Sequence, residues 1–169
     1  MSNIATAGTG SPLYWSACQF LYREAALLDG QDWDGWGRLF TPEGLYWVPA
    51  TRGQKDPVNH VSLVYENALL REIRLARLKQ AEASSLAGGP NSSHLISNIL
   101  LASADEAAGC CTLHSRFVVA QFASWGTTTF QGAYTHELVC DAVGKFRISL
   151  KRVDLVDVDG PLGDILVIL

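Results

Sequence analysis

From Cys110 to Leu169 the chain alternates apolar and polar residues with a period of two. Leu113, Phe117 and Val119 fall on one side of the run, with His114 and Arg116 between them. Phe130, Gly132, Tyr134, His136, Leu138 and Cys140 then share a side, opposite Gln131, Ala133, Thr135, Glu137 and Val139. That period predicts strands of a sheet with one wet face. Trp125-Gly126-Thr127 and Asp141-Ala142-Val143-Gly144 interrupt it as turns, and Gly144 suits a positive φ. A third long strand is expected over Phe146–Val158, punctuated by Gly160-Pro161. Asp164–Leu169 closes the chain with mostly apolar residues. Long strands joined by short turns make an antiparallel meander, which needs an apolar cover.

Upstream the apolar spacing changes to three and four. Tyr14, Ala17, Cys18, Leu21, Ala25 and Leu28 form one stripe, with Arg23 and Glu24 read as lying off it. Ser11 suits the N-cap and Pro12 the first helical position. Asp29-Gly30 is expected to end this helix through a left-handed cap. Asp32 caps a second helix running to Leu39 or Phe40, and Thr41–Gly44 turns into a short strand, Leu45–Val48. Val61 to about Ala83 is expected as a third helix. On it Leu63, Leu70, Ile73 and Leu78 face the sheet, while Arg71, Arg74, Arg77 and Lys79 form a basic side. Ser84–Ser93 reads as a flexible break, His94–Leu101 as a strand and Ala104–Gly109 as a turn. Residues 1–10 read as a flexible arm and 11–169 as one domain. The predicted class is α+β: a curved, mostly antiparallel sheet packed on about three N-terminal helices.

The 169 residues, 48% hydrophobic and 18% charged, suit one self-sufficient core. A net charge of −4 argues against general affinity for nucleic acid or an anionic membrane surface. No apolar run is long enough for a bilayer span, and the small polar N-terminus lacks the layout of a signal peptide. Cys18, Cys110, Cys111 and Cys140 form no CxxC, which fits reduced thiols in a cytoplasmic protein. His60, His94, His114 and His136 have no metal-ligand spacing. No GxSxG elbow or phosphate-binding loop is present, and Gly8-Thr9-Gly10 is too short a match to count.

Three clusters carry residue types suited to chemistry. Asp29, Asp32 and Asp34 read as helix-end residues rather than an acid–base set. Asp154, Asp157 and Asp159 read as a solvated strand end rather than a cation site. His114 and His136, with Arg116 and Tyr134 nearby, are expected to face each other on neighbouring strands, either lining a polar pocket or forming cross-strand pairs. Trp33, Trp36 and Trp47 crowd one region, and aromatic residues are favoured at protein interfaces.

Five ordered segments carry a family likeness over about residues 18–169. They are Phe20–Ala25 with Leu28-Asp29 and Tyr46–Pro49; Ser62–Asn67 into Leu70, Arg74 and Arg77-Leu78; His94–Asn98; Phe130–Tyr134; and Lys151–Val153 through Asp159–Leu162. In this order they resemble the small (beta) subunit of the aromatic-ring-hydroxylating dioxygenases, the Rieske non-haem iron oxygenases. Glu66-Asn67 and Asp157 depart from the pattern. The resemblance implies a nuclear-transport-factor-like cone fold and a non-catalytic structural subunit. It implies a large (alpha) partner, three of each, carrying the Rieske 2Fe-2S cluster and the mononuclear iron, with no cofactor in this chain. It further implies cis-dihydrodiol formation from aromatic compounds using O₂ and NAD(P)H, with electrons delivered by a reductase or ferredoxin. Trp33, Trp36, Tyr65, Arg74, Arg77, His94, Arg116 and Tyr134 are the expected subunit-interface residues. The outer sheet face, with His114, Arg116, Tyr134, Glu137 and Lys151, is the expected docking platform. The alternative is a stand-alone cone-fold isomerase or dehydratase with an Asp/His/Tyr pocket drawn from Tyr14, Tyr22, Asp34, His94, His114 and His136.

Overall fold

Helix α1 (Pro12–Asp29) begins where expected: the Ser11 hydroxyl accepts the Tyr14 N–H at 3.1 Å, and Pro12 opens the first turn. The computed structural model describes residues 11–84, 90–105 and 108–169. The predicted arm, Gly8-Thr9-Gly10 and parts of the Ser84–Ser93 and Ala104–Gly109 segments lie outside those residues. The buried stripe of α1 is Ala17, Cys18, Leu21, Glu24, Ala25 and Leu28, so Glu24 lies on it, not off it. The left-handed residue after α1 is Gln31 (φ 56°), while Gly30 has φ −83°.

Helix α2 (Trp33–Gly37) is one short turn capped by Asp32, whose Oδ1 accepts the Gly35 N–H at 2.8 Å. Strand β1 (Phe40–Pro49) follows at once and absorbs the expected turn at Thr41–Gly44 as an irregularity in its pairing. Pro42 lacks the N–H a regular ladder needs, which favours such a break. The expected third helix starts late. Val61–Glu66 alternates and pairs antiparallel with β1 as strand β2 (Ser62–Glu66). Helix α3 (Ala68–Ser84) begins only after Asn67, whose Oδ1 accepts the Leu70 N–H at 3.0 Å. Its inward face differs from expectation in part: Leu78 packs on the core as expected, but Arg71 and Leu75 are buried while Leu70 and Ile73 are exposed.

Strands β3 (Asn91–Asp105), β4 (Cys110–Ala123), β5 (Gly126–Cys140) and β6 (Phe146–Leu155) form the predicted antiparallel meander. The β5–β6 turn uses Gly144 at φ 74°. Strand order is β2-β1-β6-β5-β4-β3, and β1 runs parallel to β6, so the sheet is mixed, curved and unclosed. The core cluster joins α1, α2 and α3 to the inner sheet face, with Phe117, Phe130, Tyr134 and Leu138 in the middle. Val167, Ile168 and Leu169 pack into the same core without forming a strand. Gln121 fixes this tail, donating to the Asp164 carbonyl at 3.0 Å and accepting the Leu166 N–H at 2.8 Å. No described helix is long and apolar enough to cross a membrane.

Gly132 is fixed by packing. A Cβ there would sit 2.1 Å from the Asp154 carbonyl oxygen and 2.9 Å from Phe117 Cε1. Gly132→Ala must push β5 from β6 and is expected to lower stability by about 1–3 kcal/mol in urea unfolding.

Candidate functional site

The inner sheet face carries one ionic cluster, assembled from three distant segments. Glu24 projects from α1, His136 from β5 and Lys151 from β6. Lys151 Nζ donates to Glu24 Oε1 at 2.9 Å, and His136 Nε2 lies 2.9 Å from Glu24 Oε2. The Trp36 indole N–H donates to the same Oε1 at 3.0 Å. A carboxylate without a proton only accepts, so His136 Nε2 is the ring nitrogen that carries hydrogen. The Lys151 ammonium also lies 4.8 Å from the centroid of the Tyr134 ring, within cation–π range.

Burial alone would push the Glu24 carboxyl up. Lys151 and His136 outweigh it and hold the group well below the ordinary carboxylate range. The Lys151 ammonium moves down instead, because its burial outweighs the attraction of a single carboxylate. The Tyr134 hydroxyl rises well above its ordinary value, burial first and Glu24 second. An acid, an imidazole and an ammonium in contact resemble catalytic equipment. They are sealed, however: Glu24 and Lys151 are 1% exposed and His136 is 0%. The ring centroids of Trp36, Tyr46 and Tyr134 lie 5.9, 5.9 and 4.8 Å from the Lys151 ammonium. A stand-alone isomerase would need a substrate at these groups, which the described residues keep almost wholly buried.

The other candidate catalytic residues do not converge. Tyr14 donates to the Ile99 carbonyl at 3.2 Å, Tyr22 is exposed, and Asp34 pairs with Lys79 on the surface. His114 and His136 do not face one another. The register pairs His114 with Thr135 and Leu113 with His136, which puts the two imidazoles on opposite sheet faces. Asp29 is more than a helix-end residue: it reaches β3, accepting from Ser92 Oγ at 3.2 Å and lying 2.6 Å from His94 Nδ1. His94 Nε2 lies 3.0 Å from the Ile168 carbonyl oxygen, which ties the tail to α1 and β3. Asp154 pairs with Arg152 at 2.7 Å and Asp159 with Arg52 at 3.4 Å.

Of the expected interface residues, Trp33, Trp36 and Tyr134 are core, and the His94 side chain is buried. Arg74 is half-buried, 3.4 Å from Glu66. Tyr65, Arg77 and Arg116 are exposed. On the expected docking platform Tyr134 and Lys151 point inward, leaving His114, Arg116 and Glu137 outside.

Glu24 and Lys151 were the residues sequence reasoning missed. Glu24 falls three after Leu21 and four before Leu28, which is a stripe position. Lys151 is hidden by an irregularity between Glu137 and Leu138, across which Leu138 pairs with Ile148 but Glu137 with Leu150. The inward phase therefore shifts from Ile148 to Lys151, Val153 and Leu155.

The ring hydroxylating beta subunit family matches residues 23–158, the stretch that holds Glu24, His136, Lys151 and every strand. The chain belongs to that family. Among beta-subunit relatives, the toluate 1,2-dioxygenase subunit of Pseudomonas putida is 35% identical over 59% of this chain and 64% of its own. The benzoate 1,2-dioxygenase subunit of Acinetobacter baylyi is 34% identical over 52% of this chain and 54% of its own. The chain thus spans between about half and two thirds of the length of these curated relatives. The crystal structure of the benzoate 1,2-dioxygenase beta subunit of Burkholderia mallei is 26% identical, with a TM-score of 0.73. That likeness covers 99% of this chain and 100% of the other. These beta-subunit structures share the α+β cone, with its unclosed six-stranded sheet and N-terminal helices.

A Rieske cluster or a mononuclear iron does not fit the described side chains of this beta subunit. Among the described residues no three His, Cys, Asp or Glu side chains gather as metal ligands. His94 has both ring nitrogens engaged, and His136 is held by Glu24. Cys110 and Cys111 alternate across β4.

The buried hydroxyl and thiol set an alkaline limit. Burial, then Cys140 and Cys110, raises the Cys111 thiol from 9.0 to about 11. Burial leads in raising Tyr46 from 10.0 to about 12. Both groups keep their protons in the folded state after the unfolded chain has lost them. Their contribution is whole below pH 9.0 and is lost as pH rises through about 11 and about 12. Lys151, shifted down, works in the opposite direction. Urea unfolding is expected to show stability falling above pH 9.0, with a shallower fall in Cys111→Ala.

Proposed function

We propose that this chain is the non-catalytic small subunit of a multicomponent aromatic-ring-hydroxylating dioxygenase. Its partner is a large alpha subunit, three of each, which carries the Rieske 2Fe-2S cluster and the mononuclear iron. The complex is cytoplasmic, takes electrons from NAD(P)H through a reductase or ferredoxin, and adds both atoms of O₂ to a ring as a cis-dihydrodiol. The substrate is an aromatic carboxylate, in keeping with the toluate and benzoate named for the relatives.

The observation that carries the non-catalytic role is the Glu24–His136–Lys151 cluster, which ties α1 to β5 and β6 and which the described residues keep almost wholly buried. Such a cluster makes the sheet a firm platform for the subunit that does the chemistry. Tyr65, Arg77 and Arg116 are the remaining exposed candidates for contact with that partner.

Co-expression with a large subunit of a ring-hydroxylating dioxygenase tests the reading. The two chains are expected to co-purify, and benzoate oxygenation is expected only when both are present. Separated from its partner, this chain is expected to contain no iron or acid-labile sulfide. Iron bound in ligand-to-protein ratio by this chain alone, or turnover without a partner, defeats the proposal.

A further inference from the structure

Apart from the sealed interior, one cleft combines size, apolar lining and a buried charge. It opens between α3 and the α2–β1 corner, and its volume is about 680 Å³. That lies within the range of small-molecule sites, roughly 300–1,000 Å³. Phe40, Pro42 and Leu75 give it an apolar lining. Lys79 and Asp34 form a surface ion pair that also lines it.

Arg71 sets the chemistry. It lines the cleft yet is only 4% exposed. Its Nη1 donates to the Gly44 carbonyl at 2.8 Å, and its guanidinium stacks 3.9 Å from the centroid of the Phe40 ring. Among the described residues no acid forms an ion pair with it. Glu66 attracts it electrostatically, its Oε2 buried without a hydrogen bond, but that one carboxylate also takes Arg74 at Oε1 and so faces two guanidiniums. A buried cation without a paired acid is costly and calls for an anion. The other charges on the cleft, Arg38 and Lys79 against Asp34 and Glu72, are equal in number, which leaves Arg71 in excess. A guanidinium already stacked on an aromatic ring beside an apolar wall suits a planar ring bearing a carboxylate.

We infer that this cleft is a binding site for an aromatic monocarboxylate, held by Arg71 and by the apolar wall of Phe40, Pro42 and Leu75. The site rests on the proposed function for its ligand class, and it adds to a subunit without an active site a means of sensing the substrate.

The test is a ¹⁹F NMR titration of the full chain, alone and in complex with the large subunit. The probe is 4-fluorobenzoate, with uncharged 4-fluorobenzyl alcohol as control. Saturable line broadening is expected for the acid, displaced by benzoate, with binding at least about tenfold tighter than that of the alcohol. Ala76→Trp, an exposed change on the cleft lining, is expected to weaken acid binding about tenfold without unfolding the chain. Arg71→Lys should keep the charge and lose part of the preference, because an ammonium cannot reproduce the planar stack. Absence of saturable broadening overturns the site, as does equal binding by Ala76→Trp. Loss of small-subunit binding on adding the large subunit also overturns it, since the cleft is then a subunit contact. A chain that assembles and supports turnover but fails the titration loses this site and keeps its subunit role. A chain that binds the acid but never assembles does the reverse.

Discussion

Replacing Lys151 with Met is expected to lower the unfolding free energy by about 3–5 kcal/mol, read by urea unfolding. The reason is what remains. Glu24 would keep His136 and the Trp36 indole but lose its ammonium, in a site that is 1% exposed. A carboxylate there cannot be rescued by water, so breaking the pair from one side costs far more than the pair itself contributes. The same logic makes a second prediction opposite in sense. Replacing Glu24, His136 and Lys151 together with apolar residues of similar volume removes the stranded charge, and the triple variant is expected to be more stable than Lys151→Met alone. Equal losses in both would show that packing, and not the ionic cluster, holds α1 to the sheet.

Trp36→Ala is expected to cost about 3–5 kcal/mol, by a different route. Trp36 is fully buried, with edge contacts to Phe40 at 4.9 Å and Tyr46 at 5.7 Å between ring centroids. Truncation leaves a cavity in the core and removes the indole donor from Glu24 Oε1. Trp36→Phe separates the two effects: it restores most of the ring area and leaves only the missing donor. Its loss is expected to be about 1–3 kcal/mol, the worth of one hydrogen bond to a charged group, since Lys151 still donates to Oε1. Thermal or urea unfolding of the pair checks the ordering.

The long strands were legible because one face is wet and the other packed. Period two therefore survives through β4 and β5, and His136 was read on the same side as Tyr134 and Leu138. β2 was not legible. Ser62–Glu66 is short, sits at a sheet edge and flows into a helix, so Leu63 and Leu70 appeared to share a stripe that strand and helix geometry divide. The inward face of α3 was misread because a buried arginine breaks the simple rule that charge marks the wet side. The cluster was half legible. Glu24 sits on an apolar stripe, but a carboxylate there looks like an error until Lys151 is known to face it. The partner is 127 residues away, and the shift in β6 phase hides it. Trp33, Trp36 and Tyr134 have interface-favoured side chains, yet the core of this chain uses them. The family likeness was legible because it rests on short ordered segments of the sequence.

The central claim is that this chain supports a partner's chemistry without holding a reaction centre. Native mass spectrometry of the complex purified after co-expression tests it most directly, with collisional release of single chains and metal analysis of each. The account predicts equal numbers of the two chains, with this one released free of iron and sulfide and all metal retained on the large subunit. Release of this chain with bound iron or an iron–sulfur cluster, or its purification as a monomer that turns over substrate alone, would contradict the account.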